Sequence, residues 1–103
     1  MINSKQRAWL RSQANNMDCQ FHIGKSDVSA TLIIGLDEIL STHEILKISV
    51  LKSAETPLPQ LAAELAAATG SEVVQVIGRR IVLYRHSDKL AKLGRDLQFP
   101  RNI

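Results

Sequence analysis

The amino-acid sequence predicts a small α/β domain, in which helices pack on one four-stranded mixed sheet. Segments with apolar residues at helical spacing alternate with short β-branched segments, a pattern typical of helices that connect neighbouring strands. The last two β-branched segments are joined only by Gly78-Arg79-Arg80, so they can pair as an antiparallel hairpin. The chain has 103 residues, which is enough for one hydrophobic core but not for two. We therefore expect a single compact domain with the element order α-β-α-β-α-β-β.

The first half of the chain predicts a helix, a strand and a second helix. Ser4 is the candidate N-cap of a helix that runs to about Asn16. Residues 20–23 predict a short strand, which Gly24 ends. Ser29 is the candidate N-cap of the second helix. The apolar stripe of that helix consists of Leu32, Ile33, Leu36, Ile39 and Leu40.

The second half predicts a strand, a third helix and the hairpin. Apolar and polar residues alternate from Ile45 to Leu51, which is typical of a strand with one solvated face. Pro57 and Pro59 fit the first turn of the third helix, because that turn does not need their missing N–H groups. Gly70 is placed to end the helix.

The chain is expected to divide at residue 86 into a domain and a tail. Residues 1–86 contain the seven predicted elements. Residues 87–103 form a basic C-terminal tail, in which we expect a short helix at most, followed by disorder. Its apolar residues Leu93, Leu97 and Phe99 support one candidate function, a non-catalytic adaptor that docks on a protein partner and contacts no nucleic acid.

Positive charge is concentrated near the two ends of the chain. Residues 1–12 have a net charge of +3 and residues 79–103 a net charge of +5, whereas the segment between them has −5. A clustered field steers a polyanion, so this distribution indicates a nucleic acid as the first candidate partner. Ordinary solvated surface charge is the alternative explanation.

Several other functional classes are not expected. Cys19 is the single cysteine, and it forms no metal-ligand pattern with His22, His43 or His86, which lie in separate segments. We therefore expect no catalysis, no metal, no cofactor and no small-molecule substrate. Neither a signal peptide nor an apolar run of about 20 residues is found, so a cytoplasmic protein without membrane contact is expected.

The loop after the first strand is the best candidate for a phosphate contact. It places Gly24, Lys25 and Ser26 just before a helix, whose first N–H groups and dipole favour an anion. Lys25 adds a mobile positive charge. A solubilising loop lysine is the alternative for that residue.

The predicted hairpin is the second candidate. Its turn requires only Gly78, so Arg79 and Arg80 are not needed for folding, and phosphate contact is the favoured interpretation. Further basic candidates on the predicted helices and strands are Lys5, Arg7, Arg11, Lys47 and Arg85. For these five residues, ordinary surface charge stays open as an alternative.

The few aromatic residues indicate how a nucleic acid would be recognised. Phe21 and Tyr84 fall within predicted strands, where packing in the core is the expected role. The sequence therefore offers little support for an aromatic platform that stacks bases. If the nucleic acid is RNA, we expect backbone and shape contacts to structured RNA.

Three stretches resemble the YhbY family, whose fold is the CRM domain (chloroplast RNA splicing and ribosome maturation). They are SKQRAWLR at residues 4–11, HEILKISV at 43–50 and VQVIGRRIVLYR at 74–85, and the likeness spans about residues 3–86. The resemblance implies an RNA-binding domain similar in fold to the C-terminal domain of translation initiation factor three. Because bacterial members associate with precursors of the large ribosomal subunit, it also implies ribosomal RNA as the partner and a role in ribosome assembly.

The loop departs from the family pattern. Members usually have a GxxG loop there, and here Gly24 and Lys25 match while Asp27 replaces the last glycine. An aspartate adds a Cβ and a negative charge where a phosphate would approach, although it can also cap the second helix. We therefore expect Asp27→Gly to strengthen RNA binding at low salt.

Overall fold

A computed structural model describes residues 2–24 and 29–103. The helices are α1 (Ser4–Ala14), α2 (Ala30–His43), α3 (Leu58–Thr69) and α4 (Asp88–Lys92), and the strands are β1 (Phe21–Ile23), β2 (Ile45–Val50), β3 (Glu72–Ile77) and β4 (Arg80–Tyr84). The predicted order is confirmed, and α4 is added in the tail. Within the described part of the chain, no helix is long and apolar enough to span a membrane.

The four strands form one mixed sheet in the order β1-β2-β4-β3. β1 runs parallel to β2, while β4 is antiparallel to both β2 and β3. The parallel pair is connected through α2, as the need for a helical crossover predicts. β2 and β4 are therefore central, and β1 and β3 form the edges.

Helices cover the two faces of the sheet and create two apolar clusters. On one face, α2 and α3 pack on the strands in a cluster that includes Leu36, Leu40, Leu61 and Leu65 of the helices and Ile23, Leu46, Ile48, Val50, Ile81 and Leu83 of the strands. On the other face, α1 contributes Leu10 and Ala14 to a smaller cluster with Ile45, Val74, Val82 and Tyr84. The sheet thus forms the middle of three layers.

The helix ends agree with the predicted caps except at α1. Ser29 caps α2 by accepting the N–H of Leu32 at 3.1 Å, and Gly70 ends α3 in the left-handed conformation with φ 65°. The prediction of Ser4 as the first N-cap was wrong, because Asn3 occupies that position. The Asn3 side chain accepts the N–H of Gln6, and the Gln6 side chain accepts the N–H of Asn3, which completes a capping box.

The C-terminal tail packs on the domain. Glu44 lies between α2 and β2 and is fully buried, at 0% exposure. Its carboxylate accepts the N–H groups of Ser87 at 2.6 Å and Leu97 at 2.5 Å. Further along, the Phe99 ring lies 5.0 Å from the ring of Trp9 and 5.7 Å from that of Tyr84, measured between centroids. The tail therefore extends the second apolar cluster.

Candidate nucleic-acid interface

One end of the sheet, which we call the loop end, brings together Gly24, the turn at residues 51–53 and the hairpin turn Gly78–Arg80. Leu51 donates its N–H to the carbonyl of Ile23 at 2.8 Å, and Val50 donates to the carbonyl of Arg79 at 2.7 Å. The carboxyl ends of β1 and β2 therefore lie beside the tip of the β3–β4 hairpin. The structure thus unites two candidates that are more than 50 residues apart in the sequence.

Among the described residues, no contact and no backbone angle requires a glycine at position 24. Its φ is outside the left-handed region, and a Cβ added there would meet Ser53 Oγ at 3.4 Å and a Leu51 methyl at 3.5 Å, which are ordinary contacts. By contrast, Gly78 has φ 58° and serves the hairpin turn. A glycine at position 24 does allow a ligand to approach the backbone closely. The predicted contacts at Lys25 and Ser26, and the substitution at Asp27, lie outside the described residues.

The two adjacent arginines have different roles in the structure. The Arg79 guanidinium donates from Nε to the carbonyl of Val50 at 2.9 Å and from Nη2 to that of Leu51 at 2.7 Å. Arg79 thereby ties the hairpin to the end of β2, a folding role that its sequence position does not indicate. Arg80 is exposed, and its side chain makes no hydrogen bond or ion pair to the described residues. Its charge is therefore available to a ligand.

The basic residues of α1 have different environments. Arg7 is half-buried and donates from Nε to the carbonyl of Val73 at 3.3 Å, which holds α1 on the first part of β3. Val73 and Ile77 are about 13 Å apart along a strand, and Ile77 lies next to the hairpin turn. Lys5 and Arg11 are exposed on the same helix. The structure does not bring Arg7 to the loop end.

Arg85 and Lys47 are engaged within the protein. Arg85 lies at the opposite end of β4 from the hairpin turn, and its guanidinium donates to Asp37, Ser41 and the carbonyl of Thr69. Lys47 donates from Nζ to the carbonyls of Ala14 at 2.9 Å and Met17 at 3.1 Å, just after α1. Both side chains connect separate elements, and their predicted RNA contacts stay predictions.

Sequence reasoning missed two features near the candidate site. Lys52 is exposed in the turn beside Gly24. It directly follows a predicted strand, and this position in the sequence could have identified it as a candidate. Leu51 and Ile77 are exposed apolar residues at the same end. Only the sheet register reveals that these residues lie near Arg80, since they come from separate strands.

Of the three apolar tail residues behind the adaptor alternative, two pack on the domain. Leu97 and Phe99 pack in the second cluster with Trp9, whereas Leu93 is 60% exposed.

No group of three His, Cys, Asp or Glu side chains suited to a metal ion occurs among the residues that the structure describes. Of the three predicted arginines at the hairpin and on β4, Arg79 and Arg85 bind described groups, whereas Arg80 does not.

Comparison with known proteins matches this chain to one family model and to proteins named as RNA-binding. Residues 2–85 match the family model of the CRS1 / YhbY (CRM) domain. The chain is 37% identical over 87 residues to a protein of Bacillus subtilis strain 168 named "Probable RNA-binding protein YqeI", covering 84% of this chain and 91% of that protein. It is 25% identical over 100 residues to a protein of Haemophilus influenzae named "RNA-binding protein", covering 97% and 96% of the two chains.

A solved structure also matches. It is the solution structure of SAV1595 from Staphylococcus aureus, described as a candidate RNA-binding protein. The TM-score is 0.74 at 42% sequence identity, and the match covers 85% of this chain and 92% of that one. The fold described above is therefore shared with this protein.

Proposed function

We propose that this chain, which belongs to the CRS1 / YhbY (CRM) domain family, is an RNA-binding protein that uses its loop end to hold the phosphate backbone of structured RNA. The observation that carries the proposal is the placement of Arg80, exposed and without a partner among the described residues, at the same end of the sheet as Gly24, where no described residue requires a glycine. Lys52 adds a further exposed charge there. The names of the Bacillus subtilis and Haemophilus influenzae relatives support RNA as the partner.

The individual contacts follow from the chemistry of each residue. Gly24 lets an RNA phosphate approach the main chain, while Lys25 and Ser26, which follow it in the sequence, supply a charge and a hydroxyl group. Gly78 shapes the hairpin turn, Arg79 positions it, and Arg80 contacts the backbone. Lys5 and Arg11 of α1 provide a second, separate contact for a larger RNA surface.

We further propose that the RNA is ribosomal RNA in precursors of the large subunit, bound in the cytoplasm during assembly. The resemblance in the three sequence stretches supports this role. Ribosomal RNA presents the dense, structured phosphate backbone that scattered cations on a rigid domain can recognise. The protein would act without catalysis, holding or shielding an RNA junction until later components arrive.

The experiment is to separate a lysate of the native host on a sucrose gradient, locate the protein and sequence the RNA crosslinked to it. We expect the protein to sediment with immature large-subunit particles, with crosslinks in their ribosomal RNA. Raising the salt concentration before loading should release it, because phosphate contacts weaken steeply with salt. A protein found only at the top of a low-salt gradient, without RNA, would contradict the proposal and favour the adaptor alternative.

A further inference from the structure

Strand register places four residues in one row across the sheet, one from each strand. His22 of β1 pairs with Ser49 of β2, Ser49 pairs with Arg80 of β4, and Arg80 pairs with Ile77 of β3. Four strands at about 4.8 Å spacing give the row a length of about 14 Å. We refer to His22, Ser49, Arg80 and Ile77 as the transverse row.

The side chains of the transverse row point away from the main core. Their strand neighbours Ile23, Ile48, Ile81 and Val76 belong to the cluster under α2 and α3. Because successive side chains in a strand alternate between faces, the row lies on the α1 side of the sheet. α1 covers one part of this face and leaves the rest open.

The transverse row occupies the open part. The end of α1 lies over Lys47, whose Nζ donates to the carbonyl of Ala14 and which precedes Ser49 by two residues, on the same face. Beyond that point His22 and Arg80 are exposed, Ser49 is half-buried, and Ile77 has 61% exposure. None of the four side chains makes a hydrogen bond or ion pair to another described residue. An open sheet surface with unused donors therefore extends from the loop end, with which it shares Arg80.

The chemistry of the row suits a nucleotide base better than a phosphate alone. A guanidinium plane and an imidazole ring can stack on bases and bond their edges, and a hydroxyl group can pair with a ribose 2′-OH. Ile77 offers an alkyl surface that cannot interact favourably with a phosphate but can cover the face of a base. A patch for phosphates alone would not need this residue to be apolar.

We propose that the transverse row binds unpaired nucleotides of the RNA whose phosphate backbone lies on the loop end. This inference rests on the proposed function and adds the type of RNA, a paired segment next to an unpaired one. It also differs from the expectation that recognition involves only backbone and shape. That expectation was based on the small number of aromatic residues. In the transverse row, bases would instead stack on arginine, histidine and isoleucine side chains.

The test compares two RNAs that share one duplex, one blunt and one with an unpaired uridine tail. Ile77→Thr removes the alkyl surface while it keeps the β-branched shape and the charge. We expect this variant to bind the tailed RNA about fivefold more weakly and the blunt duplex unchanged. Ile34→Thr is the matched control, because Ile34 is equally exposed at 61% but lies on α2, on the other side of the sheet. It should bind both RNAs as the unmodified protein does.

Arg80→Lys provides a second variant, which preserves the positive charge and removes the planar guanidinium group. It should lose most of the preference for the tailed RNA. Equal affinity of the unmodified protein for the two RNAs, or equal losses for both RNAs in Ile77→Thr, would overturn the inference and leave the proposed function intact. Failure to bind either RNA at low salt would overturn the proposed function itself.

Discussion

The carboxylate of Glu44 accepts the backbone N–H of Leu97 at 2.5 Å, across 53 residues of sequence. Its other oxygen accepts the N–H of Ser87 at 2.6 Å and lies 3.1 Å from Nδ1 of His86. A buried carboxylate is tolerated only where donors surround it, and here the donors come from the tail. Glu44 therefore couples the packing of residues 87–97 to the start of β2.

Replacing Glu44 with glutamine should destabilise the protein by about 3 kcal/mol, since one of the two buried N–H groups would then face an amide NH₂. Urea unfolding measures this change. The emission of Trp9, the single tryptophan, should also shift if Phe99 leaves its ring. Glu55→Gln is the control at an exposed glutamate and should change stability by less than about 0.5 kcal/mol. Equal stability of the two variants would show that the tail contacts contribute little.

The environment of Tyr84 predicts a loss of stability in alkali. Burial, and then the nearby charges of Glu44, Asp96 and Glu72, raise the pKa of the Tyr84 phenol from 10.0 to about 12. Below pH 10 both the folded and unfolded chains hold this proton, so its stabilising effect is complete. As the pH rises from about 10 to about 12, the unfolded chain loses the proton first, and folding becomes less favourable.

Because Tyr84 is the single tyrosine, tyrosinate absorbance reports this titration directly. The folded protein should titrate near pH 12, and the protein in concentrated urea near pH 10. Tyr84→Phe should lose less stability than the unmodified protein between these two pH values. A folded-state midpoint near 10 would contradict the description of Tyr84 as a buried phenol in a negative environment.

Arg79 and Arg80 should separate stability from RNA binding. Arg79→Ala leaves the carbonyls of Val50 and Leu51 without their guanidinium donor and should cost about 1 kcal/mol of unfolding free energy. Arg80→Ala should leave stability unchanged but lower the slope of log affinity against log salt by about 0.9. Denaturant unfolding and salt titrations of RNA binding, done on both variants, measure the two effects. A binding loss in Arg79→Ala larger than that in Arg80→Ala would reverse these assignments.

The loop substitution makes a prediction of its own. Asp27→Gly removes a negative charge and a Cβ next to Lys25 and should therefore strengthen RNA binding at low salt by about three- to tenfold. The gain should shrink as salt is added. Asp27→Asn removes the charge alone and separates the electrostatic part from the steric part. Unchanged or weaker affinity in Asp27→Gly would count against the loop as a phosphate site.

Local signals were sufficient for the elements of the fold. Ser29, Pro59 and Gly70 mark helix ends through interactions within one turn, so their roles follow from the neighbouring sequence. The β-branched segments on either side of Gly78 likewise predicted the hairpin. The exception at α1 was also local, since Asn3 and Gln6 form a better capping pair than Ser4 can.

The candidate site was predicted only in part, because a charge in a sequence does not show whether it is already paired. Arg85 satisfies acceptors on α2 and α3, and Arg79 satisfies carbonyls of β2, although both looked as available as Arg80. Glu44 gave no local sign of burial, since the N–H groups that stabilise it come from a segment more than 40 residues away. These assignments depend on tertiary contacts.

The sequence by itself determined the fold class, the order of the elements and the basic character of the chain, because periodicity, capping and composition act within short segments. Only the tertiary structure decided which charges remain free and which residues become neighbours. Strand register brings His22, Ser49, Arg80 and Ile77 into one row, although they span 59 positions of the sequence. The physical reason is that register is set by packing of the whole sheet against its helices, and no single segment encodes it.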